Sequence, residues 1–318
     1  MSSNVLGRKV ISNAMKYNGC TTGDRKHLDV VSIFNSVKPH GYTAKKTDYW
    51  CDIFVSAMWI KTGLTSADVP LSCNVDQSIA DARKLGIWRG RTHKPRTGDA
   101  IVLDWDVNGR PNHIGLVQKS TDKYVYTIEG NAGDKGVCKE RSYARDSAII
   151  YGYICPKYNA ILINKRAIEY SYGLKVSEKT YSTKTGKPRA AFRKAWRKYF
   201  PKRKMGSGCH QFVMLVLKAC GYKTMPLSWS EIRPYIRDRF SAVKFNHKAS
   251  DLKKGDVMMY KRVDDKGAHY HIWIIVEVDG KLCMAEARQN HCWAYKRSIS
   301  KALKTYDKTW LYRAKESK

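Results

Sequence analysis

Cys51-Asp52-Ile53-Phe54-Val55 and Cys209-His210-Gln211-Phe212-Val213 are two copies of one pattern, Cys-x-x-Phe-Val, set half a chain apart. Each heads an apolar run with three-and-four spacing. Phe54, Val55, Met58 and Trp59 precede Gly63, and Phe212, Val213, Val216 and Leu217 precede Gly221. That spacing predicts a helix opened by each cysteine and stopped at each glycine. Further matches follow in the same order at nearly the same offset. Gly98-Asp99 pairs with Gly255-Asp256, His113-Ile114-Gly115 with His271-Ile272-Trp273, and Ile128-Glu129-Gly130 with Ala285-Glu286-Ala287. A period of half the chain reads as a duplicated domain, residues 1–158 and 159–318, with a soft boundary near Tyr158 and Ile161.

Helix-prone sequence lies upstream of each cysteine, Lys9 to Val37 and Asn164 to Phe200, the latter broken by a turn-rich stretch from Ser177 to Pro188. Strand-like sequence dominates downstream. The fold class expected is therefore α+β, with N-terminal helices packed on an antiparallel sheet in each copy. Gly98-Asp99 and Gly255-Asp256 read as scaffold turns that start a strand.

A helix N-terminus presents unpaired N–H groups and partial positive charge, which favours a thiolate. Cys51 and Cys209 stand there. His113 to Gln118 and Tyr124 to Glu129 read as strands joined across Ser120-Thr121-Asp122. A turn centred near Thr121 sets His113 directly opposite Glu129, with Cβ atoms roughly 5 Å apart. Asn131, two residues on, falls on the same face and is placed to support the histidine. In the second copy Asp279-Gly280 is a two-residue hairpin turn, which sets Arg288 opposite His271 and Glu286 diagonal to it. Thiolate, imidazole and carboxylate are the parts of a Cys-His-acid hydrolase. Cys51 would attack a carbonyl carbon, His113 would carry the proton, Glu129 would orient the ring, and the backbone N–H of Cys51 would hold the oxyanion.

These residues resemble a known family. Tyr49-Trp50-Cys51, Phe54-Val55-Ser56, Gly98-Asp99, Asn112-His113-Ile114-Gly115 and Glu129-Gly130-Asn131 are similar to a CHAP domain, the papain-like amidase and peptidase module of bacterial and phage peptidoglycan hydrolases. The resemblance covers most of the first copy. It implies a papain-like fold, catalytic roles for Cys51, His113, Glu129 and Asn131, no cofactor, and hydrolysis of amide bonds in peptidoglycan. The second copy is similar to the broader NlpC/P60 and CHAP group, with Cys209, His271 and Glu286 in the corresponding places. It departs where Gly208 replaces the aromatic before the cysteine and Arg288 stands in the place of Asn131; Gln289 or Asn290 are alternative orienting groups. Two readings of this copy stay open, a second active site or a wall-binding or structural module.

Composition bounds the alternatives. The 318 residues carry 59 Lys+Arg against 28 Asp+Glu, a formal charge of +31, with 43% hydrophobic residues, enough for a core and too many for a disordered tail. Nine cysteines in no C-x-x-C pair exclude a zinc ribbon and do not read as a disulfide framework. No apolar window approaches a membrane span, and no Sec-type leader is visible in the opening residues, so the expectation is a phage or prophage lysin made in the host cytoplasm and released to the wall, or one carried on the virion. His269, His291 and Cys292 match no standard metal-ligand spacing, and Thr47 to Asp52 shows no carboxylate ladder for calcium, so no metal is expected. His269 is a rival base to His271, and His210 points away around its helix. The basic, aromatic-interleaved segment Arg189 to Lys204 fits attraction to anionic wall polymers better than nucleic acid, for no nucleic-acid-binding signature accompanies it. A basic nucleic-acid-binding protein with scaffold triads is the reading outside enzymes. The charge also points to a monomer.

Overall fold

The computed structural model describes residues 4–171, 190–205, 208–223, 226, 228–264, 267–288 and 292–316. The turn-rich stretch from Ser177 to Pro188, together with Gln289, Asn290 and His291, lies outside them. So do the side chains of Arg288 and Cys292. The chain divides into two compact units, Asn4–Lys157 and Tyr158–Ser317.

In the first unit, α1 (Val5–Ala14), α2 (Arg25–Asn35), α3 (Cys51–Lys61) and α4 (Val75–Lys84) precede β1 (Trp88–Gly90), β2 (Ala100–Leu103), β3 (His113–Ser120), β4 (Tyr124–Ala132), β5 (Val137–Ala144) and β6 (Ile150–Ile154). The long helical stretch read from Lys9 onward is two helices. Asn18 and Gly19 break it, Gly19 with φ +81°, a left-handed conformation that glycine tolerates. Asn4, Asp24 and Asn74 cap α1, α2 and α4 with side-chain oxygens, each satisfying a first-turn N–H. In the second unit, α5 (Tyr158–Tyr170), α6 (Ala190–Tyr199), α7 (Cys209–Ala219) and α8 (Trp229–Arg239) precede β7 (Phe240–Val243), β8 (Val257–Asp264), β9 (Gly267–Val278), β10 (Lys281–Arg288), β11 (Cys292–Ser298) and β12 (Lys308–Ala314).

Each unit holds one six-stranded antiparallel sheet. The orders are β1-β6-β2-β3-β4-β5 and β7-β12-β8-β9-β10-β11, the same succession of strands twice. The fold is α+β, with eight α-helices among the described residues. In each unit the helix opened by the cysteine lies on two neighbouring strands, α3 on β3 and β4, and α7 on β9 and β10. Every residue of α3 from Cys51 to Trp59 is buried. A helix apolar all round needs cover on every side, and α1 and α2 supply it opposite the sheet. The other face of each sheet carries its own cluster, Ile101, Val117, Val125 and Tyr153 in one unit and Met258, Trp273, Ile275 and Leu311 in the other.

Two glycine turns fix where β2 and β8 begin. Gly98 donates its N–H to the Val117 carbonyl at 2.8 Å, and Asp99 accepts from the Arg96 N–H at 2.8 Å; Gly255 and Asp256 do the same with Ile275 and Lys253, at the same two distances. Gly98 has φ +92° and Gly255 +83°. A Cβ on Gly98 would lie 2.5 Å from Cα of Gly7 in α1, and one on Gly255 2.6 Å from the Ala160 carbonyl oxygen in α5. Left-handed backbone and close approach both exclude a side chain. Gly98→Ala and Gly255→Ala are each expected to destabilise their own unit by about 2 kcal/mol, read as a lower denaturant midpoint.

Burial inside α3 has a second consequence. Asp52, next to Cys51, is fully buried and accepts one hydrogen bond, from the Ser78 hydroxyl at 2.8 Å. Burial pushes its carboxyl up to about 7, the Ser78 bond opposing. A carboxyl raised in the folded state costs stability as pH climbs from its unfolded value near 4 to about 7, and the full cost remains above that. Asp52→Asn keeps an acceptor for Ser78 and removes the ionisation. It is expected to be more stable at pH 8 than the parent by an increment on the order of 4 kcal/mol, vanishing near pH 4, when unfolding is followed across that range.

Candidate active site

Trp50 stands at the N-cap of α3 with no side-chain cap bond, so side chains leave the first-turn N–H groups beside Cys51 uncapped. The Trp50 indole donates to Thr22 Oγ1 at 2.9 Å, and its ring packs against Phe54 one turn on. Both contacts hold the start of the helix. Cys51 itself is a buried free thiol at 8% exposure.

His113 opens β3 and is also buried, at 6% exposure. Its Nε2 lies 2.9 Å from Glu129 Oε2. The Cys51 sulfur is hydrogen-bonded to the same ring, and with Nε2 committed to Glu129 the nitrogen left for it is Nδ1. Burial alone would lower the His113 pKa. The hydrogen bonds and negative charge of Cys51 and Glu129 outweigh it and raise the ring to about 9. Glu129 is fully buried, which by itself would raise its carboxyl. The His113 contact, the Thr127 hydroxyl at 2.5 Å and the Tyr143 hydroxyl at 2.9 Å hold it below its ordinary value instead. An imidazolium at neutral pH thus sits between a sulfur and a carboxylate.

The strand register that achieves this differs from the expected one. Leu116 pairs with Ile128 and Val117 with Thr127, and the ladder shifts at Gln118 before Ser120 meets Val125. Continued toward the site, that register sets Gly115, not His113, across from Glu129. A Cβ on Gly115 would lie 2.4 Å from Glu129 Cγ. The missing side chain leaves the space through which the carboxylate reaches diagonally to His113.

Asn131 departs from the expected role. The ladder with β5 shifts between Glu129 and Ala132, and Asn131 takes φ +53° in that bulge. The bulge re-aims the side chain. Its amide oxygen lies over the turn at Gly136, 2.8 Å from where a Cβ would stand. Among the described residues no side-chain hydrogen bond joins it to His113.

Residues 42–131 match the family model of the CHAP domain, a stretch that contains Cys51, His113 and Glu129 and ends on Asn131. The matched stretch lies within the first unit. No curated protein sequence matches the chain.

The site includes groups that spacing along the sequence did not single out. Thr127 and Tyr143 hold Glu129, and Arg141 brings its Nε to 3.9 Å from Oε2. Trp105, on the loop between β2 and β3, lays its ring 5.7 Å from His113 and 5.8 Å from Tyr143, with the Arg141 guanidinium 5.3 Å over it. Thr127 alternates with Glu129 on one strand face, a period-two signal available in the sequence. Tyr143, Arg141 and Trp105 arrive from other elements and had none.

In the second unit, β9 and β10 pair Lys281 with Val278 through Ala285 with Ile274, the register the Asp279-Gly280 turn implies. His271 Nε2 lies 2.7 Å from Glu286 Oε2, and Glu286 is fully buried. Cys209 differs from Cys51. Its sulfur meets the backbone N–H of Ile272, and burial, with the Glu286 charge adding, pushes the thiol up to about 11. His269 is exposed and lies 2.9 Å from Asp264, away from this pair. The His210 ring packs against Trp229, 5.7 Å between centroids.

Among the described residues one trio has metal-ligating atoms close together, His93, Asp99 and Cys155 in the first unit. Burial and the charges of Arg89, Arg96 and Arg145 hold His93 below its ordinary pKa. The same three guanidinium groups oppose a divalent cation there.

His113 gains stability by binding a proton in the folded chain. That contribution is complete below about pH 6.5 and lost as pH rises through about 9. In Glu129→Gln the His113 titration, followed by its ring-proton NMR signal, is expected to fall from about 9 toward the ordinary value near 6.5. Gly115→Val is expected to move it the same way by displacing the carboxylate, and an unmoved titration in both would refute this geometry.

Proposed function

We infer that the substrate is peptidoglycan and the chemistry cysteine-dependent amide hydrolysis, as the match to the CHAP family model implies. We propose that the first unit performs it with Cys51, His113 and Glu129, and that the buried Cys51–His113–Glu129 chain is the observation that carries this reading. Sulfur from Cys51 attacks the amide carbonyl carbon. The backbone N–H of Cys51, at the uncapped helix start, receives the developing oxyanion. His113, protonated at neutral pH, gives its proton to the leaving amine, and the C–N bond breaks to leave a thioester. His113 then takes a proton from water as the hydroxide oxygen attacks the thioester carbon, the C–S bond breaks, and the carboxylic acid leaves with the sulfur returned as thiolate beside the protonated ring. Glu129 keeps the ring oriented and its charge balanced throughout.

The second unit repeats the strand order and the His-Glu pair, which supports reading the chain as two papain-like domains in tandem. Its thiol, raised to about 11, is poorly suited to attack at neutral pH. We therefore read Cys209, His271 and Glu286 as a weak or silent site in a unit whose main role is binding to the wall. Charge of +31 favours accumulation on anionic wall polymers and disfavours self-association, so the protein acts as a monomer. A lysin made in a phage-infected cell, or carried on a virion, fits this combination.

Purified Gram-positive walls, followed by turbidity and by mass analysis of released fragments, test the reading. Cys51→Ser is expected to lose at least about 100-fold of the activity, while Cys209→Ser keeps most of it, and the fragment masses name the bond. Equal losses in the two variants would restore two active sites, and no release by the wild type from any wall would sink the hydrolase reading.

A further inference from the structure

The second unit contains a cleft of about 660 Å³ between α8 and strands β8, β9 and β12. Its walls hold three aromatic rings, Trp229, Tyr270 and Trp310, and three cations, Arg233, Lys261 and Lys308. The sheet register orders them. Lys261 pairs with Lys308 on one side and with Tyr270 on the other, and the next row on the same face is Trp310, Met259 and Ile272. Arg233 lies 4.2 Å over the Trp310 ring, the Lys261 ammonium 5.8 Å from the Tyr270 ring, and Trp229 6.0 Å from Tyr270.

No carboxylate lines the cleft, and none of its three cations has an ion-pair partner among the described residues. Like charges directly opposed on neighbouring strands destabilise a sheet. Lys261 and Lys308 therefore carry a cost in the empty cleft that a bound anion would remove. The cleft in the first unit beside α4 is different, with Asp76 among its walls and no tryptophan. The second cleft shares strand β9 with the residues around the second thiol. Ile272, at the end of the second row, meets the Cys209 sulfur through its N–H, and Tyr270 precedes His271.

We propose that this cleft binds a phosphodiester-linked wall polymer, with phosphates on Lys261, Lys308 and Arg233 and the polyol or sugar units against the rings. Ammonium groups act on phosphate as point charges, and a phosphodiester keeps its charge across the pH range in which the protein is folded. Flat apolar rings between cations add contact area for the units linking those charges. The inference rests on the wall-hydrolase reading and gives the second unit its ligand.

Cosedimentation of full-length Cys51→Ser protein with Gram-positive walls tests it, before and after hydrofluoric acid extraction of the phosphodiester polymers. Extraction is expected to weaken binding at least tenfold. Adding Lys261→Gln and Lys308→Gln should weaken binding to intact walls to a similar degree, with extraction then making little further difference. Lys9→Gln with Lys16→Gln removes the same charge from exposed positions of the first unit and should bind like the parent. Equal losses in the two lysine pairs would overturn the cleft in favour of bulk charge. Cleft-dependent binding that is tighter to single-stranded DNA than to the extracted polymer would overturn the ligand. Wall hydrolysis by the wild type is scored separately, so failure of the cleft and failure of the hydrolase reading are distinguishable.

Discussion

The first unit depends on one buried charge. A carboxylate at Glu129 has no access to water, and a charge taken out of water must be paired or surrounded by donors. His113, Thr127 and Tyr143 all turn toward it, and each comes from a position that the sheet fixes. The consequence reaches the chemistry. A carboxylate satisfied in this way keeps His113 protonated at neutral pH, with Nε2 toward Glu129 and Nδ1 toward the sulfur at the start of α3. Removing the carboxylate would unbalance the ring and, through it, the Cys51 sulfur.

The two units set the same parts on the same sheet and differ in what surrounds the sulfur. Cys51 is bonded to an imidazole ring, whereas Cys209 rests on a backbone N–H and is dominated by burial. Position in the fold places a cysteine at a helix start. The neighbours of the sulfur then decide whether it is activated. The aromatic at the N-cap belongs to that difference, since Trp50 anchors the first helix start through Thr22 and Gly208 has no side chain to do so.

Much of this was legible in the residue string, and the failures have physical causes. The repeat announced both cysteine helices, both glycine turns and both His-Glu pairs. Asp279-Gly280 set the second hairpin correctly because a two-residue turn leaves no freedom in register. Ser120-Thr121-Asp122 imposes no such constraint. The turn falls later, a residue is spent in a bulge at Gln118, and Glu129 lands opposite Gly115. Asn131 was misplaced for a related reason, since alternation along a strand holds only while the ladder is regular. Tyr143, Arg141 and Trp105 were invisible because they reach the site through tertiary structure rather than through spacing.

The central claim is that the His113–Glu129 pair activates one cysteine among nine, and alkylation at single-thiol resolution tests it most directly. Iodoacetamide labelling at pH 7, quenched over time and read by peptide mass spectrometry, is expected to modify Cys51 far faster than Cys209 or any other thiol, and to lose that preference in His113→Ala. Labelling of Cys51 at the pace of the buried scaffold thiols, or a preference untouched by loss of His113, would contradict the account.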